Sequence, residues 1–150
     1  MTDLAQPAHN ARKAWMSLLA KSRPDALRAL MPSLPAVQVM RPPEVGAVMV
    51  EGRNGATGAP FNLGEMTVTR CSVRTEDGAV GHAYVQGRDK DHALRAAILD
   101  ALLQTGARDD IDARILAPLA AEAATIRARR AEKAAATKVE FFTLVRGEDK

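Results

Sequence analysis

The sequence predicts an α+β fold in which helices pack on a mainly antiparallel sheet of about four strands, with a hairpin at its centre. Residues 66–86 carry the hairpin pattern, because a run rich in Thr and Val is followed by a turn and by a second, alternating run. Residues near both termini and residues 91–105 instead carry apolar side chains at helical spacing. The chain is 47% hydrophobic but only 3% aromatic, which favours a thin, helix-rich core.

Two helices are predicted near the N-terminus. Apolar side chains recur at helical spacing around Trp15 and Leu19, so we expect a helix over roughly residues 9–21. Pro24 suits the first turn of a second, short helix, and Asp25 places a negative charge at its positive end. Pro32 ends this second helix.

Two strands and a glycine-rich loop follow. Residues 36–41 read as a strand that stops at Pro42-Pro43, since proline has no N–H to donate to a ladder. Residues 46–51 are apolar on both sides, which is typical of an inner strand. Glycines are spaced every three residues over 52–58. They match neither a P-loop nor a dinucleotide fingerprint and favour a tight connection over a phosphate cradle.

The predicted hairpin follows an ordered loop at residues 58–65 and has strands at residues 66–75 and 79–86. The turn is Glu76-Asp77-Gly78, in which Gly enters the left-handed region without steric cost. One face of the second strand is small, so we expect a helix to pack closely against it. That face carries Ala79, Gly81, Ala83 and Val85, and the opposite face carries Val80, His82 and Tyr84.

The first strand of the hairpin alternates less cleanly. Met66 and Val68 fall on one face, whereas Cys71 and Val73 fall on the other. Either a bulge near Arg70 shifts the phase, or both faces of the strand are partly covered.

The C-terminal half is predicted to be mainly helical. Asp89 or Asp91 caps a helix with an apolar stripe over residues 94–102, and Gly106 ends it. Residues 109–138 form a longer Ala-rich helical stretch that Pro118 kinks or divides. Residues 139–145, with Phe141 and Phe142 on opposite faces, predict a final strand.

Length and composition indicate one domain over residues 1–150, with a disordered leader at 1–8 and a tail at 147–150. The formal charge of +3 is too small an excess for a nucleic-acid binder, although it suits a small anionic ligand. No apolar run is long enough to span a bilayer, and no signal peptide pattern is present. Cys71 is the only cysteine, which fits a reducing cytoplasm and excludes an internal disulfide.

Few residues suggest chemistry that the chain performs alone. Cys71 and His82 lie on neighbouring predicted strands and are a possible nucleophile and base, although a lone strand cysteine is more often a buried apolar group. The three histidines, at positions 9, 82 and 92, are too scattered to predict a metal site. Glu44, Glu51 and Glu65 form a catalytic pair only if the fold joins two of them.

Three arginines lie beside loops or turns, where a guanidinium group can bind a phosphate with two hydrogen bonds. They are Arg53, Arg70 and Arg88. The competing interpretation is a salt bridge to Glu65 or Asp89. We favour the salt bridge for Arg70 and leave the two interpretations balanced for the other two arginines.

Short motifs spread over residues 15–147 together resemble the PhnG family, a subunit of the bacterial carbon-phosphorus lyase core complex. Each motif is unspecific, but their order and spacing make the resemblance specific. The motifs are Trp15-Met16 with Leu19-Ala20, Arg41-Pro42-Pro43-Glu44, Gly52-Arg53, Pro60-Phe61-Asn62-Leu63-Gly64-Glu65, Thr67-Val68-Thr69-Arg70-Cys71, Ala83-Tyr84-Val85, Gly87-Arg88-Asp89 and Phe141-Phe142-Thr143.

The resemblance implies an accessory subunit in phosphonate catabolism. It implies assembly with PhnH, PhnI and PhnJ, and with PhnL in the transfer of ribose 5-triphosphate from MgATP to an alkylphosphonate with release of adenine. It implies MgATP as a substrate of the complex and no cofactor or metal on this chain, whose reaction centre then lies on another subunit. No catalytic residue is carried over. Candidate residues for substrate or partner contacts are Arg53, Asn62, Glu65, Arg70, His82 and Arg88.

Overall fold

The protein has an α+β fold in which helices pack on a three-stranded antiparallel sheet. A computed structural model describes residues 5–137, with the exception of the side chains of residues 5–8 and 56. The predicted fold class is confirmed, with three strands in place of about four; the strand expected at residues 139–145 lies outside the described residues. The strands are β1 (Gln38–Arg53), β2 (Pro60–Arg74) and β3 (Val80–Gln86). The helices are α1 (Ala5–Lys21), α2 (Pro24–Leu30), α3 (Lys90–Leu102), α4 (Arg108–Ile111) and α5 (Ala117–Ala136).

β1 is a single long edge strand, in contrast to the two separate strands expected from the sequence. It passes through Pro42-Pro43, and its register with β2 shifts between Arg41 and Glu44. The extra residue of this bulge, together with the edge position, accommodates two prolines that cannot donate to a ladder. The expectation of an inner strand at residues 46–51 is also wrong, because β2 is the central strand.

The hairpin formed by β2 and β3 is confirmed, and its register runs without a shift from Val68 opposite Gln86 to Arg74 opposite Val80. Val68 and Val73 are both buried although they lie on opposite faces of β2, so both faces of this strand are partly covered. Near Arg70 the extra residue lies in β1, whereas β2 has an extra residue at Leu63. β2 also begins earlier than expected, at Pro60, and includes most of the predicted loop at residues 58–65.

α3 packs directly against the small face of β3, as the sequence predicted. Gly81, Ala83 and Val85 are buried, whereas His82 and Tyr84 are exposed. A side chain at position 81 would collide with the Ala97 carbonyl oxygen of α3, so only glycine allows this approach. The Asp89 carboxylate caps α3 by accepting from the backbone N–H of His92 at 2.9 Å.

The remaining helices pack around α3. α1 starts at Ala5, earlier than expected, and His92 Nε2 lies 2.9 Å from the Leu19 carbonyl oxygen near the end of that helix. Pro118, which was expected to kink or divide the C-terminal helix, lies in the first turn of α5 and follows a π-helical turn over Asp112–Leu116. Within residues 5–137, no helix has the length and apolarity needed to cross a membrane.

Candidate functional site

A buried carboxylate joins α1, β3 and α3 beneath the candidate site. The Asp100 side chain is fully buried in α3, where it accepts from the Trp15 indole N–H at 2.9 Å and from Arg12 Nη2 at 2.8 Å. It also accepts from the backbone N–H of His82 at 2.9 Å. With its hydrogen bonds satisfied, this charge is stable in the core and fixes the position of β3.

Two rows of side chains cross the open face of the sheet, which is turned away from α3. The strand register places Glu44, Arg70 and Tyr84 in one row and Arg41, Ser72 and His82 in the next. We call these six residues the open-face cluster. Glu44 Oε2 accepts from Arg70 Nε at 3.3 Å and from Arg41 Nη1 at 3.4 Å, while Ser72 Oγ and His82 Nδ1 lie 2.9 Å apart.

The open-face cluster offers guanidinium, imidazole, hydroxyl and phenol donors on one surface. Such groups bind oxyanions well, particularly when two donors of one guanidinium are engaged. The ion pair between Arg70 and Glu44 is about half exposed, with side-chain exposures of 48% and 52%, so it adds little to stability. Arg70 can therefore exchange Glu44 for another anion at small cost.

A groove of about 470 Å³ adjoins the open-face cluster at the connection between α1 and α2. Tyr84 belongs to both surfaces. Lys21, Ser22 and Gln86 contribute polar groups to the groove, and Met66 and Val68 contribute apolar ones. Lys21 adds a positive charge to those of Arg41 and Arg70 on this side of the molecule, which therefore suits an anionic ligand or an acidic protein surface.

The structure brings Arg70 and His82 together in neighbouring rows of the open-face cluster. Arg70 forms an ion pair, as expected, but its partner is Glu44. The prediction of Glu65 or Asp89 as the partner is wrong. The reason is the register of β1, which places Glu44 directly opposite Arg70. Asp89 instead caps α3 and lies 4.0 Å from Arg28.

The other predicted residues lie outside the cluster. Asn62 and Glu65 lie on β2 opposite Glu51 and Met49, and Arg88 is exposed between β3 and α3. Arg53 ends β1, where its Nη1 donates to the Gly58 carbonyl oxygen at 3.1 Å and closes the glycine-rich loop on itself.

Cys71 and His82 do not form the pair that the sequence left open as a nucleophile and base. Cys71 is 1% exposed on the helix-covered face, and its Sγ donates to the Arg41 carbonyl oxygen at 3.4 Å. His82 points to the open face, since neighbouring residues of paired strands alternate in direction. Burial also raises the pKa of the Cys71 thiol, which disfavours the reactive thiolate.

The sequence did not reveal that Asp100 binds groups of α1 and β3 in the core, or that Tyr84 lines the groove on the surface. An acidic residue inside the apolar stripe of α3 was the available signal for Asp100, because an unpaired charge does not persist in a core. Tyr84 was assigned to the correct face but not connected to the groove, since the connection between α1 and α2 passes there only in three dimensions.

Comparison with known proteins identifies the same family over almost the whole chain. Residues 10–147 match the family model of the phosphonate metabolism protein PhnG. The α-D-ribose 1-methylphosphonate 5-triphosphate synthase subunit PhnG of Rhizobium meliloti (strain 1021) is 44% identical over an alignment of 160 residues. That alignment covers 99% of this chain and 100% of the relative.

Proposed function

Since the chain belongs to the PhnG family of phosphonate metabolism proteins, we propose that it is a subunit of α-D-ribose 1-methylphosphonate 5-triphosphate synthase. The identity of 44% across both full lengths carries this proposal. Because nearly every residue of the two chains aligns, the fold described above and the surfaces on it are available for the same role.

We propose an accessory role, in which this subunit shapes or supports a reaction centre on another chain. Its partners are a PhnI-like subunit together with PhnH-, PhnJ- and PhnL-like subunits, acting in the cytoplasm on MgATP and an alkylphosphonate. In this role the candidate residues Arg53, Asn62, Glu65, Arg70, His82 and Arg88 contact a partner or the substrate.

The distribution of exposed apolar side chains supports a role in assembly. Among residues 5–137, the exposed large apolar residues other than Ile126 lie on the sheet or on the segment that leads into it. They are Leu34, Val39, Met40, Met49, Phe61, Leu63 and Tyr84. Exposed apolar surface concentrated on one part of a protein marks an interaction site. Phe61, at the start of β2, is 47% exposed.

The test is reconstitution from separately purified subunits. We expect the isolated chain to bind a PhnI-like subunit, and adenine release from MgATP and methylphosphonate to require its addition. Turnover by the isolated chain, or full turnover by the other subunits without it, contradicts the accessory role.

The alternative is a stand-alone module that binds a nucleotide or phosphate through Arg53, Arg88 and the glycine-rich loop. The hydrogen bond from Arg53 to Gly58 gives this arginine a structural task within the loop and so argues against the alternative. Calorimetric titration of the isolated chain with ATP decides between them. Binding that is lost in Arg53→Ala supports the stand-alone module.

A further inference from the structure

The two edges of the sheet differ, because the protein closes the edge at β3 with its own side chains. The outward N–H of His82 donates to Asp100 Oδ2 at 2.9 Å. The outward carbonyl of Val80 accepts from Gln104 Nε2 at 2.8 Å and from Arg12 Nη2 at 3.3 Å. An additional strand cannot pair here without displacing these side chains, of which Asp100 is fully buried.

The backbone at the edge of β1 is directed outward at alternate residues. Gly87 N donates to the Thr67 carbonyl, so Thr67 directs its backbone groups towards β3. Its neighbours Met66 and Val68 therefore direct theirs towards β1, where they face Val48 and Gly46. Gly46 and Val48 thus face β2. Val45, Ala47 and Met49 alternate with them along β1, so they direct their N–H and C=O groups away from the sheet.

No helix or strand among residues 5–137 pairs with this edge, since β1 lies at the end of the strand order. The prolines at 42 and 43 block strand pairing at one end of β1. Beyond them, residues 45–50 carry no charge. A long apolar edge left uncovered promotes aggregation, which proteins avoid by pairing or covering it.

The chemistry of this edge selects an extended strand as its occupant. A continuous row of outward N–H and C=O groups matches the backbone of another strand, whereas a helix satisfies its own backbone groups. Exposed apolar side chains flank the row, with Met49 on β1 and Phe61 and Leu63 on β2 exposed by 55%, 47% and 62%. These provide contacts for alternate side chains of an added strand.

A second copy of this chain paired symmetrically about Val48 fits the edge less well than a strand of complementary charge does. In a symmetric antiparallel pair centred on Val48, Glu51 lies opposite Val45 of the other copy and Glu44 lies opposite Gly52. Neither carboxylate gains a cation in that arrangement. A strand with an apolar centre and a basic residue opposite Glu51 complements the edge in both hydrophobicity and charge.

We propose that the β1 edge, residues 44–51, receives a β-strand with these properties from another subunit of the synthase, so that the sheet is extended by one strand in the complex. This inference rests on the proposed function, because it requires that the chain assemble with other subunits.

Amide hydrogen exchange tests the pairing in the wild-type complex. We expect the amides of Val45, Ala47 and Met49 to exchange at least tenfold more slowly in the complex than in the isolated chain. The amides of Gly46 and Val48 point to β2 and serve as internal controls whose change is small. Unchanged exchange at the three outward amides in a formed complex overturns this inference and leaves the proposed function intact.

A pair of substitutions at position 47 tests the backbone donor directly. Ala47→Pro removes an outward N–H that β2 does not use, whereas Ala47→Thr keeps this N–H and adds comparable bulk. After thermal unfolding confirms that both variants fold, we expect Ala47→Pro to weaken binding of the PhnI-like and other subunits at least tenfold and Ala47→Thr to leave it within threefold.

Equal binding by the two variants contradicts the proposal. The proposal is also contradicted if the wild-type chain forms a dimer, and Ala47→Pro dissociates this dimer without weakening binding to the other subunits. That result identifies a second copy of the chain as the occupant of the edge. If the wild-type chain binds no other subunit, the proposed function fails as well.

Discussion

The close contact between β3 and α3 predicts that Gly81→Ala destabilises the protein. A Cβ atom at position 81 would lie 2.5 Å from the Ala101 backbone nitrogen and 2.8 Å from the Ala101 Cβ, and it would also collide with the Ala97 carbonyl oxygen. Two of these three neighbours are backbone atoms of a helix, so no rotation of a side chain relieves the overlap. The helix or the strand must move.

The expected cost follows from opposing terms. Overpacking of a rigid core costs about 1–3 kcal/mol, and the backbone contacts place this substitution at the upper end of that range. Replacing Gly by Ala also restricts the unfolded chain, which stabilises the folded state by roughly 0.4–1 kcal/mol. We therefore expect a net loss of about 2 kcal/mol, which lowers the melting temperature by roughly 4–8 °C for a domain of this size.

Gly46→Ala is the matched control, because it makes the same chemical change in a strand where no heavy atom lies within 4 Å of the added Cβ. Urea unfolding followed by circular dichroism gives the free energy of unfolding of both variants. We expect Gly46→Ala to be unchanged or slightly more stable than wild type. If Gly81→Ala is as stable as Gly46→Ala, the close packing of α3 on β3 is not as described.

Three further substitutions test the core and its charges. Asp100→Ala leaves the Trp15 and His82 donors without their acceptor, so calorimetry should show a loss of roughly 3–5 kcal/mol or a failure to fold; a loss below about 1 kcal/mol contradicts the role of Asp100. Cys71→Ser should cost about 1–3 kcal/mol in urea unfolding and leave adenine release by the complex unchanged, whereas loss of activity in a folded variant would restore the cysteine as a reactive group. The hydrogen bond from Arg95 lowers the pKa of Asp91, so Asp91 stabilises the folded state above about pH 4 and this contribution is lost on acidification. Asp91→Asn should therefore reduce the dependence of melting temperature on pH between about 3 and 5, and an unchanged dependence would contradict this assignment.

Local sequence patterns determine the part of the fold that the sequence predicted correctly. The small face of β3 and the cap of α3 both depend on residues close together in the chain. The π-helical turn before Pro118 lies beside one residue that cannot donate a backbone hydrogen bond. In each case the physical constraint acts within a few positions, so it is readable without knowledge of the tertiary structure.

The errors concern residues whose environment depends on distant partners. The Pro42-Pro43 pair ends an ordinary strand, but a bulged edge strand tolerates it, and the edge position of β1 follows only from the strand order. Arg70 was expected to pair with an acidic residue, which is correct in kind. Its actual partner is Glu44, because the bulge in β1 determines which residue of β1 lies opposite Arg70.

Asp100 connects the stability of the fold with the surface that remains for assembly. Because its carboxylate holds the outward N–H of His82, the edge at β3 is closed as soon as α3 packs on the sheet. Gln104, one turn further along α3, binds the Val80 carbonyl and extends this closure. The same helix has no corresponding polar side chain bound to the outer edge of β1 among the described contacts. Within residues 5–137, packing of α3 therefore leaves β1 as the edge through which the sheet can grow.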